Sequence, residues 1–111
     1  TGEVIVAEVP AGSNREALLA AMDAVHSKHP GAAIMLLSAD TGEGKVTIVA
    51  KVADPLVKRG LKAGDWVREA SAVVGGKGGG RPDSAQGGGT DVSRTVDAVG
   101  AARTFASSKL G

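Results

Sequence analysis

A chain of 111 residues with a net charge of +1 is bounded to one domain with a modest core. It has no cysteine, which excludes disulfides, thiolate metal sites and cysteine nucleophiles. Trp66 and Phe105 are its only aromatics, which argues against a base-stacking platform for single strands. No apolar run approaches the ~20 residues of a membrane span. Glu3 and Glu8 interrupt the first apolar run and no basic residue precedes it, so no signal peptide is read. The opening falls directly in a strand pattern, and residues 1–111 are read as one globular domain cut from a longer chain.

Val4 to Val9 is rich in β-branched residues and predicts a first strand. Ser13 and Glu16 form an S-x-x-E capping box. Behind it Leu18, Ala21, Met22 and Val25 recur at helical spacing until His29-Pro30-Gly31 stops the helix. Ala33 to Ala39 is apolar on both faces and reads as a central strand. Residues 40–44 make a hairpin turn, and Lys45 to Val52 returns as a strand with Val46, Ile48, Ala50 and Val52 on one face. Asp54-Pro55 opens a short helical stretch to Arg59. A further helix is predicted from Ala63 to Val74, with Trp66, Val67, Ala70, Val73 and Val74 as its buried stripe and Gly75 as its left-handed terminator. A glycine-rich loop follows. A last helix over 92–109 takes Asp91 as N-cap and Val92, Val96, Val99, Ala102 and Phe105 or Ala106 as its stripe. This order implies an α/β fold: a small two-layer domain, a mixed or antiparallel sheet with about three helices packed on it.

The segment "GGKGGGRPDSAQGGG", Gly75 to Gly89, holds eight glycines in fifteen residues. It fails as a P-loop, because Ser71 stands where the first glycine is needed and Gly78 follows Lys77. It fails as a dinucleotide fingerprint, because Arg81 takes the place of the third glycine and a helix precedes it. It is too feature-rich for a slack linker. A backbone bare of side chains offers N–H groups for an anion nest, and Lys77 and Arg81 add charge there. Residues 1–57 carry a net −3, Lys58 to Arg81 a net +4, and the remainder is neutral. A basic middle of this kind suits a polyanion, with Lys58, Arg59, Lys62 and Arg68 extending the patch, although Arg68 is also spaced to pair with Asp65.

The stretch Val73 to Asp91, "VVGGKGGGRPDSAQGGGTD", closely resembles the C-terminal signature of alanyl-tRNA synthetase, G-G-K-G-G-G-R-P-D-x-A-Q-x-G-G. Arg59 to Ser71, "RGLKAGDWVREAS", resembles the family's eukaryotic members more than its bacterial ones. A related loop beside DHH phosphoesterase domains has His where Arg81 stands and Ala-Ala where Ala85-Gln86 stands; these departures favour the synthetase branch. The resemblance implies the globular C-terminal (C-Ala, DHH-associated) domain, which carries no chemistry of its own. It implies a grip on the outer corner of tRNA that helps couple aminoacylation with editing, through Gly76, Lys77, Gly78, Gly79, Gly80, Arg81, Asp83 and Gln86, with Lys62 and Arg59 beside them. It further implies tRNA(Ala) and the other synthetase domains as partners, no membrane, a monomeric fragment and a cytoplasmic setting, an organelle remaining open. No cofactor is expected in this domain; the parent ligase is expected to use ATP with Mg and zinc elsewhere. Two alternatives stay open: a eukaryotic derivative without tRNA dependence that binds duplex DNA or protein, and the substrate-recognition domain of a DHH phosphodiesterase.

Independent chemistry is poorly supported. His26 and His29 could share a helix face, but no third ligand is in view. Asp83, after Pro82, is a turn-shaping residue before it is a catalytic one. Trp66 belongs to an apolar stripe and is read as core.

Overall fold

The computed structural model describes residues 3–12 and 14–110. Strand β1 (Val4–Glu8) leads into helix α1 (Arg15–Lys28) and strand β2 (Ala33–Asp40). Strand β3 (Lys45–Val52), the short helix α2 (Asp54–Lys58) and helix α3 (Ala63–Val73) follow. Strands β4 (Lys77–Gly80) and β5 (Ser84–Gly89) precede a 3-10 turn over Val92–Arg94 and helix α4 (Thr95–Leu110). The strands form one sheet in the order β1-β2-β3-β5-β4. It is mixed: β1 runs parallel to β2, with α1 as the crossover, and every other neighbour is antiparallel.

The α/β class and the mixed sheet match expectation, and the layering differs. Helices cover both faces. Met35, Leu37, Val46, Ile48 and Ala50 point to α3 and α4, while Ile34, Leu36 and Val49 point to α1. The reason was visible in β2, whose residues 33–38 are all buried. A strand apolar on both faces needs a cover on each.

The cap of α1 is Asn14, whose Oδ1 accepts from Ala17 N–H at 3.0 Å. The capping box expected at Ser13 falls on a residue outside those described. Helix α4 keeps Ala102 and Ala106 of the expected stripe in the core, with Val92, Val99 and Phe105 packed against it, and corrects Val96. Thr95, Ala98, Ala102 and Ala106 face the core, and Val96 is 75% exposed. Small residues let the helix approach α3 closely, and that gain outweighs burying the larger valine. Asp91 makes no side-chain cap there; the Thr95 hydroxyl donates to Val92 O at 2.8 Å.

Gly100 sits exposed within α4, and a Cβ added there would meet nothing within 4 Å. Gly100→Ala is therefore expected to stabilise the domain by about 0.5–1 kcal/mol, by removing unfolded-state entropy at an unstrained helical position. Thermal melting of the two chains side by side checks this, and a lower midpoint for the variant would refute it.

Candidate nucleic-acid interface

The glycine segment read as a loop is a β-hairpin. β5 pairs with β3 from Val46↔Gly89 to Lys51↔Ser84, and β4 pairs with β5 from Lys77↔Gly88 to Gly80↔Ala85. Arg81-Pro82-Asp83 forms the turn, closed by Arg81 N–H donating to Ser84 O at 2.9 Å. This corrects the anion nest as well. Strand N–H groups alternate between the ladder and the outer edge, whereas a nest needs successive N–H groups converging on one point.

Helix α3 straps the hairpin at both ends. At the turn, Ala63 N–H at the start of α3 donates to Pro82 O at 2.8 Å. That carbonyl satisfies one of the helix's free N-terminal donors, for which Lys62 provides no side chain. At the open end, Thr90 and Asp91 N–H groups both donate to Val74 O at 2.9 Å, and Gly76 N–H reaches Ser71 O at 2.9 Å. Gly75 ends α3 with φ +72°, as expected.

Close approach accounts for the glycines between the straps. A Cβ on Gly78 would lie 2.5 Å from Val67 Cγ1, and one on Gly87 2.4 Å from Ser71 Oγ. Gly64 of α3 lies against Gly80 in the same way: a Cβ on Gly64 would lie 2.8 Å from Gly80 O. Val67 and Ser71 are fully buried by this contact, and the Ser71 hydroxyl has no hydrogen-bond partner among the described residues. The α3 side of the hairpin is thus closed.

The residues expected to form the site divide accordingly. Gly78 turns inward under α3. Lys77, Gly79 and Gln86 lie on the opposite face by strand alternation, with Lys77 and Gln86 exposed. Arg81 and Asp83 occupy the turn, where Arg81 is 82% exposed and 3.6 Å from the Asp83 carboxylate. At that exposure the pair contributes little, and the guanidinium stays available. Gly76 leads into β4 beneath Gly88, and Gly80, with φ +152°, bends the chain into the turn. Lys62 is exposed beside the turn. Arg59 points away; its guanidinium donates to Leu110 O at the end of α4. Arg68 pairs with Asp65 at 3.3 Å.

Sequence reasoning missed Arg15. It opens α1, yet its Nη1 donates to Gln86 Oε1 at 2.9 Å, 71 residues away. Arg15, Lys45 and Lys77 rim a shallow groove of about 470 Å³ floored by Thr47, Gly76 and Gly88, with Glu43 as the acidic residue on that rim. Among the described residues, no cluster of three or more His, Cys, Asp or Glu is placed to hold a metal ion. His29 Nδ1 lies 2.9 Å from Glu3 Oε1, joining α1 to the first strand. No helix among the described residues is long and apolar enough to cross a membrane.

Fold and site together define a small α/β module that presents a strapped glycine hairpin at its sheet edge. The DHHA1 domain family matches residues 1–108. The chain is 44% identical over 107 residues to the cytoplasmic alanine–tRNA ligase of Drosophila melanogaster, covering 96% of this chain and 11% of that one. It is 44% identical over 108 residues to the alanine–tRNA ligase of Rhodopirellula baltica, covering 97% and 11%. It is 50% identical over 99 residues to that of Pseudomonas entomophila, covering 89% and 11%. The C-Ala domain of Aquifex aeolicus alanyl-tRNA synthetase superposes with a TM-score of 0.72 at 25% identity, covering 98% of this chain and 90% of that one. The chain belongs to the DHHA1 domain family, and its type is the C-Ala domain of alanyl-tRNA synthetases. It spans only about a ninth of the curated ligases it matches.

Proposed function

We propose that this domain is the non-catalytic tRNA-binding module of an alanine–tRNA ligase. It grips the outer corner of tRNA(Ala) and thereby helps join aminoacylation and editing on one tRNA. The observation that carries the reading is the hairpin. It is held rigid by α3, bare of side chains over most of its length, and bears Lys77 on its open face and Arg81 at its turn. A duplex backbone approaches such a surface closely and meets cations there. The match to ligase chains supports the choice of tRNA as the polyanion. The other ligase domains are its further partners and the cytoplasm its setting. ATP, Mg and zinc belong to those other domains; this one requires no cofactor and acts as a monomer.

A salt titration of binding to whole tRNA(Ala), to its acceptor minihelix and to a DNA duplex tests the reading. Whole tRNA is expected to bind tightest. Lys77→Ala/Arg81→Ala is expected to weaken it about tenfold at low salt and to reduce the log–log salt slope by roughly two, one per lost phosphate contact. Equal affinity for duplex DNA would assign the domain to DNA. Equal affinity for the minihelix would remove the outer corner from the account.

A further inference from the structure

We propose that the nucleic-acid backbone is received on the α1 side of the hairpin, and that Arg15 is a contact residue there, positioned by Gln86. This rests on the tRNA reading above and deepens it: it selects one face of the hairpin and adds a residue from a distant helix.

The two faces differ in what they leave open. On the α3 side, Val67 and Ser71 fill the space over Gly78 and Gly87. On the other side α1 packs on β2 and β3, and its apolar cluster stops at Val49 of β3. β5 and β4 therefore leave that face bare beyond β3, with Gln86, Gly88, Lys77 and Gly79 upon it. Gly88 is glycine because β3 crowds it, a Cβ there lying 2.1 Å from Val46 O, while a Cβ on Gly79 would meet Arg68 Nη2 at 3.9 Å, so that guanidinium borders the same strand.

Charge separates the faces further. Arg15, Lys45 and Lys77 come from α1, β3 and β4, and meet around one groove whose described lining includes one carboxylate, Glu43, with Asp40 of β2 paired across from Lys45. Arg68, Arg81 and Arg94 each lie against an aspartate. Arg15 is held instead by a neutral amide oxygen. Gln86 holds the guanidinium through one N–H without neutralising its charge, and the Arg15 side chain makes no other hydrogen bond among the described residues. A guanidinium so placed matches the bidentate geometry of a phosphodiester. The chemistry selected is a sugar–phosphate backbone lying along β4 and β5, with one phosphate on Arg15 and its neighbours on Lys77 and Lys45.

The test is tRNA(Ala) binding by the 111-residue chain across a salt series, for wild type, Arg15→Ala, Arg15→Lys, Lys45→Ala, Gln86→Ala and Lys77→Ala/Arg81→Ala. Arg15→Ala is expected to weaken binding about five- to tenfold near 50 mM salt and to lower the salt slope by roughly one. Arg15→Lys should restore the slope but only part of the affinity, because the fork is lost. Lys45→Ala should lower the slope as Arg15→Ala does. Gln86→Ala should cost about two- to threefold with the slope unchanged, since it removes positioning and no charge. Arg15 is exposed in the first turn of α1, so unchanged melting of its variants confirms that the fold is intact. Wild-type affinity and slope for Arg15→Ala, with Lys77→Ala/Arg81→Ala still weakened, would overturn this inference and leave the tRNA reading standing. No binding by the wild-type chain would overturn both.

Discussion

Gly76→Ala is expected to destabilise the domain by about 3 kcal/mol or more, lowering its melting midpoint by roughly 10–20 °C. An alanine Cβ at this position would lie 1.8 Å from Gly88 O and 2.4 Å from Gly89 Cα. Both obstacles are backbone, so no rotamer change relieves them. To make room, β4 must separate from β5, and the Gly76 N–H bond to Ser71 O must break with it. The clash therefore spreads into the straps on which the hairpin depends. Gly31→Ala is the matched control: a Cβ there meets nothing within 4 Å. Its midpoint is expected within the range of ordinary surface changes, about 0.5 kcal/mol. Calorimetry on the three chains decides the matter; a Gly76→Ala midpoint close to wild type would show that the hairpin tolerates opening.

Trp66→Ala is expected to cost about 3–5 kcal/mol, the range for truncating a large buried aromatic. Trp66 is fully buried on α3, and its indole N–H donates to Ala102 O of α4 at 2.8 Å. The ring fills the space left by the alanines of α4, and the hydrogen bond spans the two helices. Because α3 also holds the hairpin, loosening Trp66 acts on the interface without touching it. Trp66→Phe separates the two contributions. It keeps most of the apolar volume and loses the bond, for an expected cost of about 1–2 kcal/mol. Urea unfolding followed by far-ultraviolet circular dichroism measures both variants. Equal costs for Phe and Ala would show that the bond to Ala102, and not the filled volume, dominates.

Elements whose side chains carry a period were readable. α1 and α3 show apolar residues at helical spacing, β3 alternates, and β2 is apolar on both faces. Trp66 was assigned to the core from its place in the α3 stripe, and Gly75 to the helix end from glycine's freedom at positive φ. The phase of α4 was only partly readable: Ala102 and Ala106 lie in the core as expected, but hydrophobic size favours Val96 over Ala98, and the close approach of α3 reverses that preference. The cap of α3 was equally hidden: its partner is the Pro82 carbonyl, 19 positions later in the chain than Ala63.

The sequence by itself determined the family, through the run from Gly75 to Gly89, and most helices and strands, through local periodicity and turn chemistry. Only the tertiary structure decided what that run becomes. Glycine has no side chain with which to declare a strand, so its conformation is set by what lies beside it. Here β3 lends an edge, and α3 supplies Val67, Ser71 and two anchoring ends. The same holds for the interface: Arg15 and Gln86 meet only because α1 and β5 border the same open face of one sheet. Local patterns specify elements, but a surface is assembled from residues distant in the chain, and no spacing along it records their meeting.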